Sequence, residues 1–205
     1  MDITSYEKEL YSKKMYNIAG VDEVGRGPLY GPVVAACVVL PMGFDIKEIN
    51  DSKKLSDKKR KLLFDYIKDN ALAYSIVEVD FDVIDEINIF QASKLAMEKA
   101  VAEVNEKIKI DHVLVDAMKL DLEIESTSII KGDSKSVSIA AASILAKVYR
   151  DELMINLDLK HPEYGFKSHK GYPTKKHIEA IKKHGIINGY RKTYKPVKDV
   201  LDGNI

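Results

Sequence analysis

Apolar and polar residues recur along this chain with two periods, which predict strands in some segments and helices in others. Short apolar runs bounded by glycine, proline or charged residues predict strands, because a strand buried on both faces is apolar throughout. Apolar positions three or four residues apart predict helices. The predicted strands are residues 15–23, 32–40, 71–80, 112–116 and 127–132, and the predicted helices are residues 51–68, 91–104, 138–157 and 174–184.

The order of these elements predicts an α/β fold. A stretch rich in glycine and proline, residues 25–32, separates the first two apolar runs and is typical of a turn between adjacent antiparallel strands. Helices and strands alternate afterwards. We therefore expect a mixed five-stranded sheet flanked by helices, with a helical C-terminal part over residues 160–205. Because no linker or repeat divides the chain, residues 1–205 are predicted to form one domain.

Composition narrows the class of protein only a little. The chain has 205 residues, of which 45% are hydrophobic and 31% charged, so nothing indicates disorder. Its single cysteine, Cys37, excludes an internal disulfide and a cysteine-rich zinc site, and it fits a reducing compartment. No apolar run reaches the roughly 18 residues of a membrane span, and the charged start, residues 1–14, is unlike a signal peptide. We expect a soluble, cytoplasmic protein with no membrane partner.

The net charge of zero conceals an uneven distribution of charge along the chain. Residues 131–205 contain 15 basic and 8 acidic residues, whereas the remainder contains 17 basic and 24 acidic residues. Within residues 160–198, eleven lysines and arginines face only two glutamates, and five aromatic residues are interleaved with them. Such a segment attracts a phosphate backbone, although a solvated lysine-rich surface has the same composition.

Carboxylates at the ends of apolar segments are the first candidates for chemistry. Asp22 and Glu23 close the first predicted strand, Asp116 closes the run HVLVD, and Asp133 precedes the helix 138–157. Any one of them alone is more typical of a solvent-exposed strand end or a turn. Neighbouring strand ends can nevertheless bring such residues together. Side chains alternate between the faces of a strand, so Asp22 and Glu23 share a pocket only if the strand twists or ends between them.

Four carboxylates that converge would form a site for hard divalent cations. Oxygen ligands are typical of Mg²⁺ and Mn²⁺ and are less typical of zinc. Two such ions about 4 Å apart can activate a water and stabilise the leaving oxygen of a phosphodiester. The carboxylates therefore predict the chemistry of a nuclease.

Several sequence blocks, in order, resemble the ribonuclease HII family over most of residues 17–185. The most specific blocks are GVDEVGRGPLYGPVVAA and KGDSKSVSIAAASILAKVYRD. The remaining blocks are DSKKLS (51–56), INIFQASKLAM (87–97), VDA (115–117) and YGFKSHKGYPTKKH (164–177). The resemblance implies a ribonuclease H-like fold and a metal-dependent endoribonuclease.

The resemblance also assigns the acidic residues. It implies that one set of carboxylates is both catalytic and metal-binding, with Mg²⁺ or Mn²⁺ as cofactor: Asp22, Glu23, Asp116 and Asp133. Asp151 lies in a family motif too, but its position inside a predicted helix beside Arg150 suggests a structural salt bridge or cap. We rank Asp133 above Asp151 as the fourth ligand.

A second set of residues is implied to contact the substrate. The loop Gly25, Arg26, Gly27 matches the segment that recognises the ribonucleotide 2′-hydroxyl through its backbone, and Tyr172 matches the tyrosine that packs on the neighbouring deoxyribose. On their own, the loop is typical of a tight turn and the tyrosine is typical of a packing residue. Candidates for phosphate contacts, each of which could equally be plain surface charge, are Lys53, Lys54, His169 and Lys170.

The implied substrates are RNA–DNA hybrids and DNA duplexes that contain ribonucleotides. Cleavage is expected 5′ to the ribonucleotide, leaving a 5′-phosphate and a 3′-hydroxyl. We expect a monomer, and the sequence identifies no protein partner. The alternatives are ribonuclease HIII, a transposase-like or resolvase-like nuclease, and a non-catalytic nucleic-acid-binding module on the same fold. The four acids argue against the last of these.

Overall fold

The structure, a computed structural model, describes residues 2–44 and 56–204. Its strands are β1 (Ile18–Val24), β2 (Val33–Val39), β3 (Ala73–Val79), β4 (His112–Asp116) and β5 (Ser126–Ile129). Its α-helices are α1 (Ser5–Ser12), α2 (Asp57–Asn70), α3 (Phe81–Lys107), α4 (Val137–Lys160), α5 (Phe166–His169), α6 (Lys175–His184) and α7 (Lys195–Leu201). Short 3₁₀ helices span Gly132–Ser134 and Pro162–Tyr164.

The strands form one mixed sheet in the order β3-β2-β1-β4-β5. β1, β2 and β3 pair antiparallel, whereas β4 and β5 run parallel to β1. In the central register, Val21 of β1 lies opposite Cys37 of β2 and Val115 of β4. The predicted mixed five-stranded sheet with flanking helices is confirmed. The carboxyl ends of the parallel strands β1 and β4 therefore meet at one edge of the sheet.

Both faces of the sheet are covered, which explains the continuous apolar runs in β1 and β2. One set of alternating β2 side chains, including Val33 and Cys37, packs with α3. The other set, including Val34 and Ala36, packs with α2 and α4. Cys37 is fully buried and free of any disulfide.

Several elements differ from the predicted pattern for local reasons. β5 ends earlier than predicted because Lys131 adopts a left-handed φ of 57° and leads directly into the first 3₁₀ helix. The helix α3 begins ten residues before the predicted 91 because it is two helical segments joined at Asn88. Asn88 has a φ of 68°, and its side chain accepts hydrogen bonds from the N–H groups of Phe90 and Gln91. Asn88 therefore caps the second segment, as asparagine commonly does.

The C-terminal part is helical, as predicted, and it packs against the turn between β1 and β2. Leu29 and Tyr30 of that turn are buried with Phe166 and Tyr190 of the C-terminal part. The Leu29 N–H donates to the Gly171 carbonyl at 2.7 Å, and Tyr30 forms a β-bridge with Tyr190. The basic C-terminal part thus reaches the same sheet edge as the carboxylates. Within residues 2–44 and 56–204, no helix is both long and apolar enough to cross a bilayer.

Candidate active site

Three of the predicted carboxylates meet at the carboxyl ends of β1 and β4. The register pairs Val21 with Val115, so Asp22 and Asp116 are the next residues on two adjacent parallel strands. Adjacent strands lie about 4.8 Å apart, which brings these side chains into one group. Asp22 is 6% exposed, whereas Glu23 and Asp116 are partly exposed. We call Asp22, Glu23 and Asp116 the strand-end carboxylates.

The helix α4 closes one side of this group. It approaches β1 so closely that a Cβ on Gly20 would lie 2.1 Å from the carbonyl carbon of Ser138. Only glycine at position 20 permits this approach. Further along α4, the Ser143 side chain is hydrogen-bonded to Asp22 and lowers the pKa of that carboxyl. The packing of α4 on β1 thus sets the environment of Asp22.

The electrostatics of the strand-end carboxylates are unfavourable to their charged forms. Burial raises the pKa of Asp22 well above its ordinary value, and the charges of Glu23 and Asp116 raise it further. Burial also raises the pKa of Glu23, and Asp116 adds to that effect. Arg26 acts in the opposite direction, with its guanidinium 3.3 Å from Glu23 Oε1. Like charges thus accumulate at one point, and a bound cation would relieve their repulsion.

Asp133 is linked to this group through its neighbour Gly132. The Gly132 N–H donates to Asp116 Oδ1 at 2.6 Å. Asp133 follows in the 3₁₀ helix before α4 and is buried. Asp133 therefore directly follows a residue that is hydrogen-bonded to one of the strand-end carboxylates.

The oxygen donors suit a hard divalent cation by their chemistry. Among the described residues, no three acidic, histidine or cysteine side chains stand ready-arranged as a metal site. The hydrogen bonds give a reason, since Glu23 is turned to Arg26, Asp116 to Gly132, and Asp22 Oδ1 accepts the Glu23 N–H at 2.7 Å. The carboxylates would have to exchange some of these donors for a cation.

The loop Gly25–Gly27 lies directly after β1 and contacts Tyr172. Gly25 has a φ of 98°, and a Cβ there would lie 2.3 Å from Nε of Arg150, so this position requires glycine. A Cβ on Gly27 would lie 3.3 Å from the Tyr172 ring. The Arg26 side chain is partly exposed, and Tyr172 is 38% exposed. The structure thus places this loop and Tyr172 together beside the strand-end carboxylates.

The predicted phosphate contacts have different environments. His169 is buried, and both ring nitrogens have partners, with Nε2 donating to the Tyr164 carbonyl at 2.7 Å and Nδ1 accepting the Gly171 N–H at 3.2 Å. Lys170 is partly exposed, and its ammonium group donates to the Lys167 carbonyl. Lys53 and Lys54 lie outside the described residues.

Asp151 has a partner within its own helix. Lys147, one turn earlier on α4, donates to Asp151 Oδ1 at 2.7 Å. Its neighbour Arg150 instead donates to the carbonyls of Tyr30, Pro32 and Lys170. An ion pair of Asp151 within α4 agrees with the expected structural role.

Sequence reasoning missed several residues that support the site. Arg191 is fully buried and bonds to the carbonyls of Gly25, Arg26 and Gly31. His177 is fully buried, and its Nδ1 donates to the Tyr172 carbonyl while its Nε2 is hydrogen-bonded to the Tyr190 hydroxyl. In the sequence, both residues lie in a lysine-rich segment, where no local signal separates a buried cation from a solvated one.

The sheet, its covering helices and the carboxylates at its edge define a ribonuclease H-like nuclease. Residues 19–197 match the protein family Ribonuclease HII. The Ribonuclease HII of Bacillus mycoides (strain KBAB4) is 54% identical over 201 residues, which cover 98% of this chain and 77% of the relative. The chain belongs to the ribonuclease HII family, and the preference for this family over ribonuclease HIII is confirmed.

Solved structures agree with this assignment. The ribonuclease H2 of Pyrococcus horikoshii OT3 superposes with a TM-score of 0.77 and 27% identity, covering 91% of this chain and 98% of that chain. The RNase HII of Archaeoglobus fulgidus, solved in a complex with PCNA, gives a TM-score of 0.71 and 26% identity, covering 88% of this chain and 94% of that chain. The ribonuclease H-like fold implied by the resemblance is therefore confirmed.

Proposed function

We propose that this chain hydrolyses the RNA strand of RNA–DNA hybrids and nicks duplex DNA 5′ to single embedded ribonucleotides, leaving a 5′-phosphate and a 3′-hydroxyl. The observation that carries the proposal is the meeting of the strand-end carboxylates with the loop Gly25–Gly27 and Tyr172 at one sheet edge. The carboxylates supply the chemistry, and the loop and Tyr172 select the position of the cut.

The proposed metal ligands are Asp22, Glu23, Asp116 and Asp133, and the proposed cation is Mg²⁺ or Mn²⁺. Family membership supports dependence on a divalent metal. When two such ions are bound, they supply an activated water and stabilise the leaving oxygen of the phosphodiester. The buried Asp22 is hydrogen-bonded to Ser143 and flanked by two other carboxylates, and a cation bound beside it would favour its charged form. Arg26 screens part of the charge of Glu23.

Selection of the cut site requires recognition of a single 2′-hydroxyl, the group that distinguishes RNA from DNA. The loop Gly25–Gly27 can approach a sugar closely because its two glycines lack a Cβ. Tyr172, packed on Gly27, offers an exposed ring edge to the neighbouring sugar. No base needs to be read, so cleavage is expected at ribonucleotides in any sequence.

Phosphate contacts would hold the duplex without specifying its sequence. Lys53, Lys54 and Lys170 are proposed for this role. Both ring nitrogens of His169 are already engaged within the protein, so we assign His169 to support of the segment that carries Tyr172.

The test is cleavage of a DNA duplex that contains one ribonucleotide, labelled at each end in turn so that the nick is mapped. Parallel reactions use an all-DNA duplex of the same sequence, an RNA–DNA hybrid, and chelator in place of Mg²⁺ or Mn²⁺. The expected result is a metal-dependent nick 5′ to the ribonucleotide and none in the all-DNA duplex. Tight binding of the folded protein to these duplexes without cleavage in any metal would favour the non-catalytic binding module instead.

A further inference from the structure

A fully buried arginine, Arg191, is bonded to the backbone of the loop that adjoins the strand-end carboxylates. Its Nη2 donates to the Gly25 carbonyl at 2.7 Å, and its Nη1 donates to the Arg26 carbonyl at 3.0 Å. Its Nε and Nη2 both donate to the Gly31 carbonyl, at 3.0 and 2.8 Å. One guanidinium thus engages three carbonyls of residues 25–31.

The charge of Arg191 is stabilised by hydrogen bonds to the dipoles of these carbonyls. Among the described residues, no carboxylate lies within ion-pair distance of it. Tyr194 adds to the arrangement, since its hydroxyl accepts from Nη1 at 3.0 Å and donates to the Arg26 carbonyl at 2.6 Å. The guanidinium also lies 5.1 Å from the centre of the Tyr194 ring. The Arg26 carbonyl is therefore held by two donors.

The position of Arg191 is itself fixed from two sides. Its N–H donates to the Leu29 carbonyl at 2.9 Å. The residues that follow are held by Asp85 of α3, which accepts from the N–H groups of Lys192 and Thr193 at 2.7 and 3.0 Å. Arg191 is consequently part of a rigid support.

The orientation of two carbonyls determines the orientation of two N–H groups. The described backbone contains no cis peptide bond, and in a trans peptide the C=O of one residue and the N–H of the next point in opposite directions. Because Arg191 draws the carbonyls of Gly25 and Arg26 inward, the N–H groups of Arg26 and Gly27 point away from it. Neither N–H has an acceptor within the described part of the chain. Arg26 and Gly27 are also exposed, and Gly27 contacts Tyr172.

We propose that Arg191, together with Tyr194, is a positioning residue for ribonucleotide selection, which fixes the N–H groups of Arg26 and Gly27 as a preformed pair of donors toward the ribonucleotide 2′-oxygen. This inference rests on the proposed function. Because the two donors are already fixed, binding of the substrate does not have to order a glycine loop, and less conformational entropy is lost. Arg191 acts through the backbone and does not touch the substrate.

The experiment compares recognition of the 2′-hydroxyl with general binding of duplex DNA. For each variant we would measure KM and kcat on the duplex with one ribonucleotide, and Ki for an all-DNA duplex as competitor. The test variants are Arg191→Lys, which keeps the charge but loses the fork of donors, and Tyr194→Phe, which loses one donor to the Arg26 carbonyl. The matched control is Tyr164→Phe, which removes a buried hydroxyl bonded to the Gly185 carbonyl at 3.0 Å, outside the loop.

For Arg191→Lys we expect the ratio of Ki to KM to fall about tenfold or more, and for Tyr194→Phe about threefold, with Ki itself unchanged. Tyr164→Phe should lower the melting temperature without changing the ratio, as a purely structural effect would. A wild-type ratio in Tyr194→Phe, or in folded Arg191→Lys, would overturn the inference. If Arg191→Lys does not fold, Tyr194→Phe decides. Absence of ribonucleotide cleavage by the wild-type protein would instead count against the proposed function.

Discussion

Two regions of this molecule contain buried charged side chains, and the surroundings of those charges are opposite in kind. At the sheet edge, Asp22 is buried beside Glu23 and Asp116, whose like charges raise its pKa further. Around the turn between β1 and β2, the equally buried Arg150 of α4 and Arg191 of the C-terminal part are surrounded by carbonyl acceptors. The arginines are satisfied by the protein, whereas the strand-end carboxylates are left in mutual repulsion.

The difference separates the carboxylates that we propose as ligands of a cation from the arginines that build the fold. When the protein supplies hydrogen-bond partners for a buried charge, that charge stabilises one arrangement of the chain. Its removal leaves those polar partners unsatisfied. A buried charge that faces like charges costs stability, and such a cost is common where a site must receive a ligand. The two regions meet at the loop Gly25–Gly27, where Arg191 donates to the Gly25 carbonyl and Arg150 packs against Gly25 beside the carboxylates.

The largest expected effect comes from neutralising one strand-end carboxylate. Asp22→Asn should reduce cleavage roughly 10³-fold or more, about 4 kcal/mol in transition-state stabilisation, because it removes a ligand charge. The same change should raise the free energy of unfolding by about 1 kcal/mol, because it relieves repulsion and burial of charge. Nick formation and urea denaturation at neutral pH measure the two quantities.

Asp202→Asn is the matched control, since Asp202 is exposed just after α7. It should change neither quantity. If Asp22→Asn lost stability and kept its activity, the strand-end carboxylates would stabilise the fold, as the buried arginines do, and would not be metal ligands.

The next effect comes from removing a satisfied cation. Arg150→Met should lower the free energy of unfolding by about 4 kcal/mol, because it leaves the carbonyls of Tyr30, Pro32 and Lys170 without their donor. Denaturant titration measures this loss. The exposed Lys183→Met should cost almost nothing, and an equally small cost for Arg150→Met would show that water replaces the guanidinium.

Stability should also fall in acid because of His177. Burial lowers the pKa of His177 to about 4, whereas the pKa of an unfolded histidine is about 6.5. As the pH falls from 6.5 toward 4, the unfolded chain takes up a proton that the folded protein does not, so the free energy of unfolding should fall by roughly 3 kcal/mol. The neutral ring lies against His169, 4.1 Å between centres, and is bonded to the Tyr190 hydroxyl.

Denaturation at several pH values tests this dependence. His177→Gln should be less stable than wild type at pH 7 but should show a shallower decline in acid. His184→Gln, at an exposed position on α6, should keep the wild-type slope. An unchanged slope in His177→Gln would place the acid sensitivity elsewhere.

The smallest expected effect lies at the boundary between the two regions. Tyr172→Ala should lower kcat/KM on the single-ribonucleotide duplex about tenfold, because it removes the ring that packs on Gly27 and that we propose as a substrate contact. The dependence of cleavage on metal concentration should stay unchanged, since the strand-end carboxylates are intact. Tyr16→Ala, an exposed tyrosine before β1, serves as the control. Normal cleavage by Tyr172→Ala would show that Tyr172 does not contact the substrate.

The sequence predicted most of the sheet and the strand-end carboxylates because both leave local signals. The run HVLVD gave the bounds of β4 correctly, since an apolar run ending in a carboxylate marks both a strand and its end. Helix α1 escaped prediction because it buries few residues, Glu7 and Leu10 among its eight. The break at Asn88 depends on a side-chain cap that no periodicity reveals.

The residues that support the site could not be predicted from the sequence, for a different reason. Arg191 and His177 lie among exposed lysines, and their partners at residues 25–31 and 190 are distant in sequence or visible only after folding. The expectation that His169 contacts phosphate rested on its motif alone, and burial of the ring cannot be inferred from the motif. A pattern of residue types locates a charge, but tertiary packing decides whether the charge faces solvent or carbonyl groups.

The span of the Arg191 contact has a consequence for the order in which the chain folds. Arg191 and Gly25 are 166 residues apart, so their contact requires closure of a very long loop. Contacts of such separation form late, because the entropy of loop closure is lost before they contribute stability. During refolding, the central strands should therefore pair before residues 25–27 reach their final conformation. The refolding chain would regain its acidic strand ends first and the proposed selectivity for ribonucleotides last.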